Sequence, residues 1–194
     1  MTNKKETPGS GYSPFGVDDY FVKNVLPTSI YAQERRITTP TPSIHNRDEL
    51  LILVRSGSGV ITVNSIRYPV KKNTIISLGP FHRYSLTPNP DQELVVAEGR
   101  MNAGTYVYIL ACPYYKVKNM SVPSEPAVAH LTGRMADMAG RTMDAFLRES
   151  IENRSDRNKI CYCYMMELFG AMTEGMSHRM KEERRQAEMD GKKE

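Results

Sequence analysis

Three side chains in the first half of the sequence have the types that chemistry requires. His45 and Glu49 lie just before a Gly57-Ser58-Gly59 turn, and His82 follows Gly79-Pro80-Phe81. Two imidazoles and one carboxylate are a chemically sufficient set for iron. The other histidines, His130 and His178, sit in a later part of the chain with a different periodicity. His82 also starts an alternation in which His82, Tyr84 and Leu86 share one face and Arg83 and Ser85 the other. An imidazole with one donor and one acceptor beside a phenol is suited to holding a small polar molecule. Arg36, Arg55 and Tyr106 are further candidates. An arginine inside a pocket would suit a carboxylate or phosphate on the ligand.

Other catalytic arrangements are thin. There is no G-x-S-x-G, no phosphate-binding loop and no motif-placed pair of carboxylates. Cys161 and Cys163 are the close thiol pair, and on a helix two residues apart they diverge by roughly 200°. Packing suits them better than zinc or redox chemistry.

The elements that must position these residues are strands. Leu50 to Val54, Val60 to Val63 and Ile75 to Leu78 are short apolar runs rich in β-branched residues, separated by Gly, Asn and Lys-Asn turns. Tyr68-Pro69-Val70 adds a short strand between them, with Gly57 and Gly59 read as a tight turn. Asp19 to Leu26, Ser29 to Ile37, Glu93 to Glu98 and Thr105 to Ala111 complete a small antiparallel barrel ending at Cys112-Pro113.

The period then changes. Val128, Leu131, Met135, Met138, Thr142 and Phe146 recur at three- and four-residue steps, the mark of an amphipathic helix, with Ser124 as its cap and Pro126 in its first turn. After Asn153-Arg154-Ser155-Asp156 a second helix carries Cys161, Tyr164, Met165, Leu168, Met172, Met176 and Met180. Only one stripe is needed to cover the barrel wall. The surplus stripe predicts a homodimer through Tyr164, Met165, Leu168 and Met172, the alternative being that both helices cover this barrel.

The order from Glu49-Leu50-Leu51 through Gly57-Ser58-Gly59, Asn64, Tyr68-Pro69 and Gly79-Pro80-Phe81-His82-Arg83-Tyr84 resembles the N-terminal cupin domain of AraC-type transcription regulators. With its flanks the resemblance covers most of residues 29–182. It implies a mainly β fold, a cupin-like jelly-roll barrel followed by an antiparallel helical pair, that senses a small-molecule effector and dimerises. The organisation expected is a flexible arm over 1–16, a barrel over 17–113, a helical dimerisation region over 114–182 and a charged tail over 183–194. The effector implied is a sugar or sugar acid, because His82 and Tyr84 match pocket positions of sugar-binding members. The slot just before Gly57, an arginine in such members, is Ser56 here, with Arg55 on the other face. DNA would be bound only through a helix-turn-helix domain that this sequence lacks. In metal-binding cupins a second histidine follows two residues after the first. Arg47 occupies that slot, so no metal or other cofactor and no enzymatic activity are expected. The alternative is a stand-alone metal-dependent cupin enzyme, a sugar isomerase or dioxygenase.

Bulk properties agree with that class. The chain has 194 residues, 40% hydrophobic, with a mean hydropathy of −0.49. A net charge of +4 with interleaved acids is no phosphate-binding stripe. No apolar run reaches the length of a membrane span, about 18 residues, and no signal peptide is evident at the start. Three cysteines make a disulfide framework unexpected and a cytoplasmic location expected.

Overall fold

The computed structural model describes residues 30–102, 125–152 and 154–190, with side chains up to Ser177. Among these described residues nine strands and two helices follow in order: β1 (Ile30–Ile37), β2 (Ile44–His45), β3 (Glu49–Ser56), β4 (Ser58–Val63), β5 (Ile66–Lys71), β6 (Thr74–Leu78), β7 (Arg83–Pro88), β8 (Leu94–Met101), β9 (Ala127–His130), α1 (Gly133–Ser150) and α2 (Arg157–Asp190). They form two antiparallel sheets, ordered β1-β8-β3-β6-β9 and β2-β7-β4-β5. Consecutive strands mostly alternate between sheets, which is the cupin-like jelly-roll arrangement.

Period-2 alternation divides the larger sheet between two cores. Leu50, Ile52 and Val54 of β3 join Ile76, Leu78, Leu94 and Val96, and they meet Ile61, Val63, Tyr84 and Leu86 from the smaller sheet inside the barrel. Leu51 and Leu53 face the other way with Ile30, Ala97 and Met101, and pack on Met143 and Phe146 of α1 and Met165 and Leu168 of α2. Burial on both faces is why β3 is an unbroken apolar run. The smaller sheet has an exposed outer face, so β5 alternates and keeps Val70 inside.

The Gly-Ser-Gly stretch is not a hairpin. β3 and β4 belong to different sheets, and Gly57 is where the chain crosses between them. Its φ is +78°, and a Cβ there would lie 2.0 Å from the carbonyl oxygen of Glu93, so only glycine fits. Gly59 instead lies within β4, where a Cβ would meet the Thr87 carbonyl at 2.3 Å. The true two-residue hairpin turn is Asn64-Ser65, both at positive φ, between β4 and β5.

A second correction concerns the boundary between barrel and helices. Val128 and Leu131 do not open the first helix: Ala127–His130 is β9, paired with β6, and the Leu131 amide donates to the Asn73 carbonyl. The five-stranded sheet therefore closes beyond residue 113, and α1 begins after Thr132 without a side-chain cap. The stripe was misread because a short strand and a helical turn both fit two apolar residues three apart. The arm and the strands expected over 19–26 and 105–111 lie outside the residues described.

The helices pack on each other and on the larger sheet. Met165 and Leu168 are fully buried, Met172 is buried and Tyr164 is partly buried with its ring 6.3 Å from that of Phe146. The side chains expected to line a dimer surface are thus part of the chain's own core. α1 packs on β1 and β8 and α2 on β9 and β1, so both helices cover the outer face of the larger sheet. Truncating Leu168 to Ala should cost about 2–5 kcal/mol. In urea denaturation the loss should be the same at every protein concentration. A loss that shrinks as concentration rises would instead assign Leu168 to an interface between copies.

Candidate functional site

The barrel interior is aliphatic at one end and charged at the other, and β8 carries the change. Along its inner row, Leu94 and Val96 give way to Glu98 and Arg100, followed by Asn102, all buried. The Glu98 carboxylate has no solvent exposure. It accepts hydrogen bonds from Arg35 Nη1 at 2.7 Å, Gln33 Nε2 at 2.9 Å and Arg100 Nη2 at 3.4 Å. Gln33 and Arg35 reach it because β1 pairs with β8 in a register that sets Gln33 opposite Glu98. Arg100 Nη2 also donates to the Tyr84 hydroxyl at 2.9 Å, which ties β8 to β7 across the barrel. Burial, reinforced by Glu98, pushes the Tyr84 phenol up, while Arg100 and Arg35 oppose this. The phenol stays protonated at neutral pH and keeps a proton to donate.

Asp48, just before β3, is buried beside this group. Desolvation raises its carboxyl to about 6 against the pull of Arg100. Asn46 holds the entrance to β3: its Nδ2 donates to the carbonyls of Asp48, Leu78 and Gly79 at 2.6, 2.9 and 3.1 Å. Its backbone exchanges hydrogen bonds with Phe81 and His82, both at 2.7 Å. Phe81 has a φ of +77°, a strained conformation for an aromatic residue, and its ring is exposed.

Of the residues expected from sequence, the structure brings His82 and Tyr84 into this region, both buried, with Tyr84 bonded into the charged group. Arg36 lies elsewhere: its largely exposed side chain pairs with Glu93 at 3.2 Å and Glu34 at 3.7 Å. Arg55 sits at a bulge of β3 and reaches the helix side, bonding Asp144 and the Gly140 carbonyl of α1. Tyr106 lies outside the described residues. Arg35, Asp48, Glu98 and Arg100 were missed. Their signal was available in part. Ile37 faces the barrel core, so alternation along β1 sends Arg35 inward and Arg36 outward. Charges inside the apolar run Leu94–Met101 were a second sign.

His45, Glu49 and His82 do not form a three-ligand group. Glu49 shares the helix-facing side of Leu51 and Leu53, where its carboxylate accepts a hydrogen bond from Ser77 Oγ. Among the described residues no group of three His, Cys, Asp or Glu side chains is placed to hold a metal ion. Burial lifts Glu49 to about 7, opposed by the Ser77 hydrogen bond.

No protein-family model and no curated protein matches the sequence. Solved structures do share its fold. Apo ToxT from Vibrio cholerae strain SCE256 superposes with a TM-score of 0.55 at 11% identity over 76% of this chain and 56% of that one. A second crystal form of Vibrio cholerae ToxT gives 0.51 at 14% identity over 76% of this chain and 57% of that one. The chain therefore spans a little over half the length of these structural relatives. At such identities the likeness is one of fold, a cupin-like barrel carrying two helices.

Asp48 and Glu49 make stability fall with rising pH. From about pH 4 the folded chain keeps protons that the unfolded chain has released, on Asp48 up to about pH 6 and on Glu49 up to about pH 7, so the unfolded state binds fewer protons. Each shift is on the order of 3 kcal/mol. Urea denaturation at pH 5 and pH 8 should show lower stability at pH 8, and the double change Asp48→Asn, Glu49→Gln should flatten the difference. Equal or greater stability of the wild type at pH 8 would contradict this.

Proposed function

We propose that this chain is the effector-sensing part of an AraC-type transcription regulator, which acts on DNA through a domain outside this sequence. The observation that carries the reading is the Glu98–Arg100–Tyr84 group inside an otherwise aliphatic barrel. A buried ion-pair network costs stability relative to an apolar core, and a few convergent polar groups in an apolar cavity are how small-molecule sites fix a ligand. The shared fold with ToxT, an AraC-family regulator, supports this reading. The effector is a small polar metabolite, a sugar or sugar acid, with His82 and Tyr84 on its polar edge. The regulator works as a homodimer, and its contact surface lies away from Met165, Leu168 and Met172, which are already buried.

A thermal-shift screen of sugars and small carboxylates tests the reading. A ligand bound only by the folded state adds about 2.7 kcal/mol at a hundredfold excess over Kd. Tyr84→Phe should remove most of that shift. It should also lower the ligand-free melting point, because the hydroxyl is a partner of Arg100 and an underpaired buried group costs about 1–3 kcal/mol. A full ligand shift in both Tyr84→Phe and His82→Ala would place the pocket elsewhere. One equivalent of iron, manganese or zinc in the purified protein would replace the sensor reading with a metal-dependent cupin enzyme.

A further inference from the structure

We infer that Asp48 sets the charge specificity of the barrel, which takes an uncharged molecule rich in hydrogen-bond donors and rejects a carboxylate. This rests on the sensing role proposed above and narrows it. At the charged end, Nη groups of Arg35 and Arg100 and the Gln33 amide are bonded to groups of the protein. Arg35 and Gln33 bond Glu98, and Arg100 bonds both Glu98 and the Tyr84 hydroxyl. A ligand carboxylate bonding to those Nη groups would have to displace Glu98, leaving a fully buried carboxylate without compensation.

Two buried side-chain oxygens are acceptors still to be met. Asp48 Oδ1 and Asn46 Oδ1 are buried with no hydrogen-bond partner among the described residues, in side chains only 5% and 2% exposed. The orientation of the Asn46 amide is fixed, since its nitrogen lies within 3.1 Å of three carbonyl oxygens and a flipped amide would set oxygen against all three. Buried acceptors of this kind call for a donor from outside the described residues. A hydroxyl or amide N–H supplies one.

Charge gives the same answer. The guanidinium groups of Arg35 and Arg100 are balanced by the carboxylates of Glu98 and ionised Asp48, and Arg100 interacts electrostatically with Asp48. A neutral guest preserves that balance. An anionic guest adds a third negative charge in a water-poor site, and a cationic one leaves an excess positive charge.

The test uses the full chain and three probe sets of similar shape at pH 7.5. The neutral set is glucose, glucitol and myo-inositol, the anionic set gluconate and glucuronate, and the cationic set glucamine. Melting temperature is followed against probe concentration. At least one neutral probe should raise it, at a concentration at least about tenfold lower than any charged counterpart needs. Asp48→Asn should narrow the gap between neutral and anionic probes by a similar factor, and its ligand-free melting temperature reports whether it is folded. Tighter binding of an anionic or cationic probe by the wild type, or an unchanged ratio in a folded Asp48→Asn, overturns the inference and leaves the sensing role standing. If no probe from any set moves the melting temperature, the polar-metabolite sensing role falls, and this inference with it.

Discussion

A carboxylate with no access to water sits at the centre of this fold. Glu98 is accommodated in the barrel because Arg35, Arg100 and Gln33 converge on it. Those partners come from a neighbouring strand and from its own, so the register of β1 against β8 is constrained by charge as well as by backbone pairing. Slipping that register by one residue would bury Glu34 or Arg36 in the barrel and turn Arg35 outward. The same arginine that meets Glu98 from β8 reaches Tyr84 on the opposite sheet. One polar group thereby fixes strands of both sheets at the end of the barrel where the aliphatic packing stops.

β8 also joins the barrel to the helices. Its inner row holds Glu98 and Arg100, and its outer row packs Ala97 and Met101 against α1 and α2. Gly99 lies in the outer row between Ala97 and Met101, and a Cβ there would come within 2.9 Å of the Phe146 ring and 3.1 Å of the Met165 sulfur. The strand and the helix pair are in direct contact with no spare space between them. Further ties hold α1 in place: Arg55 bonds Asp144 and the Gly140 carbonyl, and Ser150 Oγ bridges the Ala32 amide and the Phe146 carbonyl. In close-packed interiors a displacement of one layer is passed to the next. The charged end of the barrel and the helices are therefore parts of one mechanical unit.

The local pattern of the sequence was enough for the class of fold. β-branched runs of strand length, Asn-Ser and Lys-Asn turns and a later shift to three- and four-residue periodicity describe a barrel followed by helices, because each follows from short-range sterics and burial on one face. His82 and Tyr84 were legible for the same reason: their alternation with Leu86, a core residue, is a local property. What local pattern could not decide was which strand pairs with which. β3 and β4 are adjacent in sequence and lie in different sheets, while β8 pairs with β1 and β3 from far along the chain. That pairing turned Arg35, not Arg36, towards Glu98, set Arg55 against α1, made a strand of the residues around Val128, and buried Met165 and Leu168 within the chain. Each of these depends on what stands opposite a side chain in space. The type and spacing of neighbouring residues specify which way a side chain leaves its own backbone, and only the tertiary structure supplies the group it meets there.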